Sequence, residues 1–144
     1  MYGQNNMMLE IPAYSENEAF VRTVVGAFAA RMNPTFEELA DIKTAVSEAV
    51  TNVVVHAYPK AEGRMWVRAR ILMGNVLEIE IEDHGCGIAD VSQARAAAFT
   101  TGPADERAGM GFVVMESFMS QVDVFSCEGQ GTLVRMSIQL GADG

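Results

Sequence analysis

The sequence predicts an α+β fold, a two-layer sandwich in which a mixed, mostly antiparallel sheet carries helices on one face. Three observations lead there. Alternating or β-branched runs on either side of Gly74-Asn75, and again around residues 128–131, read as two hairpins. Helical periodicity occupies most of residues 16–55. No strand–helix–strand alternation opens on a glycine-rich first turn, which argues against a dinucleotide-binding fold.

Residues 7–12 (MMLEIP) form a short strand ended by Pro12, and Ser15 with Glu18 three positions later has the spacing of a capping box opening a helix over about 16–32. Phe20, Val24 and Phe28 recur every four residues as its buried stripe, which leaves Arg22 exposed near Glu18. Asn33-Pro34 breaks this helix, and Thr35 with Glu38 opens the longest one, which runs through Val55. Residues 64–74 and 76–85 make the first hairpin and 121–140 the second. Between them, residues 85–99 read as a short helix, residues 100–111 (TTGPADERAGMG) as a small-residue loop, and residues 112–119 as an apolar helix. With no repeat, linker or low-complexity tract, residues 1–144 are expected to be one domain with a real core.

Composition narrows the function classes. Nineteen acidic residues against ten basic ones give a net charge of −9, and the only lysines are Lys43 and Lys60. No basic stripe exists to neutralise a phosphate backbone, so direct nucleic-acid binding is not expected. Cys86 and Cys127 lack CxxC or Cys/His spacing, which fits reduced thiols better than a disulfide framework or a zinc site. The opening MYGQNNMMLEIPAY has no basic start or long apolar stretch, and no window approaches the ~18 apolar residues of a membrane span. A soluble, cytoplasmic protein without membrane contact is expected.

The stretch SEAVTNVVVHAY, residues 47–58, places Glu48, Asn52 and His56 at four-residue intervals inside an apolar run. At about 100° per residue, Leu39, Ile42, Val46, Val50 and Val53 cluster on one side of the helix, while Glu48 and Asn52 share another face within about 40° of each other. An Asn amide oxygen is a hard neutral ligand suited to magnesium, and a carboxylate one turn away can take a proton from an attacking hydroxyl. That pairing suits phosphoryl transfer, although the row by itself also fits a solvated helix edge. In IEIEDHGCGI an apolar strand ends at Asp83 and passes into Gly85 and Gly87, glycines that let backbone approach a flat ligand. A buried carboxylate there would accept from an exocyclic amine and so tell adenine from guanine; a strand-end Asp in a glycine turn is the plainer alternative. RAGMGF places Gly109 and Gly111 at a helix start, where free N–H groups suit phosphate oxygens. Arg107 precedes them in a loop with the composition of a mobile lid, or is a solvated surface charge.

In this order, SEAVTN, DHGCG and GMGF resemble the N, G1 and G2 boxes of the GHKL (Bergerat) ATP-binding fold shared by Hsp90, gyrase B, MutL and histidine kinases. EAVTNVVVHAY, EDHGCGI, FTTGPADERAGMGFVVMESFM and the overall length look most like the bacterial anti-sigma factor serine kinases, above all the sporulation anti-sigma F branch. The resemblance implies Glu48 as catalytic base and Asn52 as magnesium ligand. It implies Asp83 and Thr132 as adenine-side contacts, and Gly85, Gly87, Gly109, Met110 and Gly111 as the nucleotide loops. Arg107 stands as the lid's cation and Arg22 as a partner contact. It further implies ATP/ADP and Mg as cofactors and a homodimer. The dimer would capture a sigma factor of the F type when ATP is bound and phosphorylate a serine of an anti-anti-sigma partner. Relatives often have Lys before the lid proline, where this chain has Gly102-Pro103. A stress-response (sigma B type) kinase would use the same residues, and a nucleotide-gated sigma-binding module would need no Glu48. The ATP domain of a two-component histidine kinase would need a phosphoacceptor hairpin that 144 residues do not contain.

Overall fold

The computed structural model describes residues 5–59, 61–91 and 103–141, with the backbone alone for 103–110. Strand β1 (Asn6–Pro12) leads through a 3-10 turn (Ser15–Asn17) to helix α1 (Glu18–Ala29), a second 3-10 turn (Ala30–Met32) and helix α2 (Phe36–Asn52). A π-helical turn (Val53–Ala57) ends α2, and strands β2 (Arg64–Leu72) and β3 (Val76–Asp83), helix α3 (Pro103–Phe118), and strands β4 (Gln121–Cys127) and β5 (Gly131–Gln139) follow.

The strands form one sheet in the order β1-β2-β3-β5-β4, and all four pairings are antiparallel, so the parallel pairing in the expected mixed sheet is not found among the described strands. Gly74 and Asn75 both take positive φ at the first hairpin, as its tight connection requires. Period-two alternation sends Leu77, Ile79, Ile81 and Asp83 of β3 to the buried face and Glu78, Glu80 and Glu82 to the other. The buried side meets Ile42, Val46 and Val50 of α2, Val21 and Val25 of α1, and Phe112 and Met115 of α3. On the opposite face Arg68 and Arg135 both pair with Glu80, at 2.9 and 2.8 Å, Arg70 pairs with Glu78, and Trp66 stacks on His84 at 4.2 Å.

Four local expectations are corrected. In α1 the buried stripe is Val21, Val25, Phe28 and Ala29, about one position round from the expected one, and Phe20 is 50% exposed. Gly26 faces Lys43 of α2, so α1 turns its small-residue side to its neighbour. The Ser15–Glu18 capping box does not form, because Glu18 is drawn to α2 instead: its carboxylate accepts from Ser47 Oγ at 2.7 Å and pairs with Arg22 at 3.2 Å. Helix α2 does not run through Val55 as α-helix but changes to the π turn after Asn52. Finally, α3 begins at Pro103, within the stretch expected as a loop. Proline suits the first helical position, and Asp105 and Glu106 suit the positive end of the helix; together with Ala104 and Ala108 they offset Gly109 and Gly111. The chain is irregular over 84–90, and most of the short helix expected at 85–99, with the lid residues 100–102, lies outside the described residues.

The Thr35–Glu38 capping box forms as expected, with Glu38 N–H on Thr35 Oγ1 at 3.0 Å and Thr35 N–H on Glu38 Oε1 at 2.9 Å. Thr35→Ala is therefore expected to lower stability by about 1 kcal/mol, read as a lower chemical-denaturation midpoint with an unchanged slope.

Candidate functional site

Where the ends of α2 and β3 meet, a cavity of about 290 Å³ opens between the layers. Asn52, His56, Asp83, Cys86, Gly87 and Thr132 supply its polar rim, and Ala49, Val53, Ile81, Ile88, Phe112 and Val134 its apolar walls. An apolar slot with a few convergent polar groups is the usual form of a small-molecule site.

The sheet contributes Asp83 and Thr132, direct cross-strand partners on β3 and β5. Asp83 is 6% exposed, the one buried charged residue among those described. Burial raises its pKa, against the opposing pull of backbone N–H groups of Gly85 and Thr132, the first of which donates to Oδ1 at 2.9 Å. The helix layer contributes Asn52 and Glu48. A methyl group built on Gly111 of α3 would lie 3.2 Å from both Oδ1 and Nδ2 of Asn52 and 3.5 Å from Glu48 Oε2, so both side chains converge where α3 has none. Asn52 Nδ2 is buried and has no hydrogen-bond partner among the described residues. A polar group left so is costly, and a ligand that completes its bonds removes the cost. Among the described residues no group of three or more His, Cys, Asp or Glu could hold a metal. The donor available is the one the sequence indicates, Asn52 Oδ1, a neutral oxygen of the kind magnesium accepts beside phosphate oxygens.

The glycines of the loop after β3 lie tight against neighbouring main chain. A Cβ on Gly85 would collide with the Ala57 carbonyl, and one on Gly87 (φ +74°) with that of Cys127. Both admit neighbouring backbone, and only Gly87 lines the cavity. Gly131 (φ +126°) does likewise against the Asp83 carbonyl. These approaches seat the loop: Cys86 N–H donates to Ala57 O at 2.8 Å, Gly129 N–H to Cys86 O at 2.7 Å, and Ile88 N–H to Ser126 Oγ at 2.7 Å.

Asn52, Asp83, Gly87 and Thr132 thus share one cavity, with Glu48, Gly85 and Gly111 at its margin. Gly109, Met110 and Gly111 stand within α3 and not at its start, a consequence of the early helix onset. The side chains of Arg107 and Met110 lie outside what is described. Arg22 stands apart on α1, 40% exposed at its side chain and bound to Glu18 and Ser47. Sequence reasoning missed Ser126, although a signal was there: in QVDVFSC it shares the inward parity of Val122 and Val124 and is the one polar residue there. Among the described residues no helix is long and apolar enough to cross a membrane.

Residues 11–138 match the family described as the histidine kinase-like ATPase domain. The chain is 55% identical to the anti-sigma F factor of Caldanaerobacter subterraneus subsp. tengcongensis, over 95% of this chain and 96% of that protein. It is 51% identical to that of Thermoanaerobacter sp. strain X514, over 96% of each. Among solved structures, the RsbU and RsbW domains of Rv1364c from Mycobacterium tuberculosis superpose with a TM-score of 0.70 at 19% identity, covering 94% of this chain and 32% of that one. The histidine kinase domain of the Erythrobacter litoralis EL346 blue-light activated kinase gives 0.56 at 24%, covering 72% and 45%. Both likenesses are of fold.

The folded protein holds the Asp83 proton more tightly than the unfolded chain does, so its contribution to stability is most favourable at low pH and declines as pH rises through the raised pKa. Asp83→Asn, uncharged throughout, is expected to raise the ligand-free melting temperature at neutral pH, by about 4 °C for each kcal/mol relieved. The gain should vanish near about pH 3, where both forms are neutral; calorimetric scans across pH measure it.

Proposed function

The chain belongs to the anti-sigma F factor family, within the histidine kinase-like ATPase domains, and on that premise we propose that it is an ATP-dependent protein serine kinase that also holds a sigma factor. In this reading a homodimer in the cytoplasm binds an F-type sigma factor while ATP is bound, with Arg22 in the partner contact. Its phosphoacceptor is a serine of an anti-anti-sigma protein.

The observation that carries the reading is the meeting of two polar sets at one apolar cavity, Asp83 with Thr132 from the sheet and Asn52 with Glu48 from α2. Asp83, held by two N–H groups, keeps acceptor capacity for an exocyclic amine, and the apolar walls suit the faces of a purine. Asn52 offers Oδ1 to magnesium, and its unpartnered Nδ2 can donate to a phosphate oxygen. Magnesium, when bound, offsets charge on the transferring phosphoryl group. Glu48, one turn before Asn52, orients the serine hydroxyl of the partner and takes its proton. Within α3 the N–H groups of Gly109, Met110 and Gly111 are engaged by carbonyls four residues earlier. A phosphate-binding role for them therefore requires the first turns of α3 to open. Arg107 on the same segment is then the cation that accompanies them.

Glu48→Gln is expected to leave ATP affinity nearly unchanged while lowering transfer of labelled terminal phosphate to the anti-anti-sigma serine by about 10²–10⁴-fold. Equal transfer by the two proteins removes Glu48 from that role, and tight ATP binding with no labelling by either favours a nucleotide-gated sigma-binding module. Asn52→Ala is expected to lose most of the magnesium-dependent part of the ATP affinity, measured by calorimetric titration with and without the metal.

A further inference from the structure

At the cavity end of the sheet a polar row crosses three adjacent strands on the inner face: Ser126 of β4, Thr132 of β5 and Asp83 of β3, each paired with the next. Asp83 and Thr132 line the cavity, and together with Ser126 they also line a second pocket that shares this edge of the sheet. Ser126 Oγ accepts from the Ile88 N–H at 2.7 Å and lies 2.8 Å from Thr132 Oγ1 and 3.1 Å from the Gly131 carbonyl.

A serine hydroxyl has one proton and two lone pairs, and a carbonyl can only accept. If Ser126 gives its proton to Gly131 O, its two lone pairs take the Ile88 N–H and the Thr132 O–H, and every bonding position of Ser126 is used. The Thr132 proton is then committed to Ser126, and Thr132 Oγ1 faces the cavity as an acceptor. In the opposite arrangement Ser126 donates to Thr132, the Gly131 contact carries no proton and one Ser126 lone pair is empty. Within the protein the first arrangement makes one more hydrogen bond, because in the second the Thr132 proton turns to the cavity and only a ligand or water there can accept it.

We propose that Ser126 is a positioning residue that sets the base specificity of the site by holding Thr132 as an acceptor beside Asp83. The inference rests on the nucleotide reading above. Two neighbouring acceptor oxygens suit an amino group, directly or through a water that donates to both, and oppose a carbonyl. The pair therefore favours a 6-aminopurine nucleotide over a 6-oxopurine one. Without Ser126 the Thr132 hydroxyl is free to rotate and donate, so it accommodates either base.

The test is equilibrium binding of ATP and of inosine triphosphate, its 6-oxo counterpart, to the full chain and its variants. Ser126→Ala is expected to reduce the preference for ATP about five- to tenfold, the worth of one hydrogen bond changing sign, and Ser126→Thr to restore it. Thr132→Val is expected to reduce the preference similarly, and Ser126→Ala to add nothing in that background. Equal weakening of both nucleotides by Ser126→Ala would show a merely structural role and overturn the proposal. Should that variant not fold, an unchanged preference in Thr132→Val overturns it equally. Failure of the unaltered chain to bind either nucleotide overturns the nucleotide reading itself and the inference with it, a result distinct from a lost preference.

Discussion

A backbone hydrogen bond between the two layers, from Cys86 N–H to the Ala57 carbonyl at 2.8 Å, ties the helix-borne half of the site to the sheet-borne half. Asn52 and Glu48 stand on α2, whereas Asp83 and Thr132 stand on strands, and at this point the two supports touch through main chain. Two local features make it possible. The π turn at Val53–Ala57 departs from the α-helical bonding pattern at the end of α2, where terminal carbonyls need partners. Gly85 has no Cβ to collide with that carbonyl. A side chain at 85 would push the loop away and widen the cavity at the place where Asp83 meets it.

The same region concentrates the electrostatic tension of the molecule. On the outer face of β3, Glu78, Glu80 and Glu82 are answered by Arg70, Arg68 and Arg135, and such half-exposed pairs each contribute little to stability. On the inner face Asp83 pairs with no Lys or Arg among the described residues; burial disfavours its charge, and two backbone N–H groups and, more weakly, His84 oppose that. A carboxylate placed so is unfavourable for the empty fold and useful to a bound amine, the pattern expected where a protein keeps a strained group for binding. Asn52 repeats it in neutral form, with an amide nitrogen that finds no partner among the described residues. Both groups line the same cavity, so a single ligand can reach both.

Much of this was legible in the chain. The hairpins were readable because alternation and turn glycines are local, and Thr35–Glu38 because a capping box closes within four residues. Asp83 was readable because it continues the parity of Ile79 and Ile81 to the strand end. The Ser15–Glu18 box failed for a non-local reason, since Ser47, 29 positions away from Glu18, competes for the carboxylate. The stripe of α1 was misplaced by one position because its orientation is set by Gly26 against Lys43, a contact that periodicity within one helix does not contain. Ser126 was passed over because an isolated strand serine acquires meaning only beside Thr132 and Ile88.

Thr132 was indicated only by the family resemblance, whereas the sequence by itself determined the α+β class, the order of the described strands and long helices, and Glu48, Asn52 and Asp83 as the polar residues to watch. Each of these depends on spacing along the chain, which periodicity, capping and turn chemistry convert directly into local geometry. Only the tertiary structure decided which of these residues share a cavity, that Gly85 and Gly87 admit backbone, and that α3 begins at Pro103 and carries Gly111 against Asn52. Those facts depend on close approach between segments remote in sequence, and close approach is settled by the packing of two layers, which no single segment encodes.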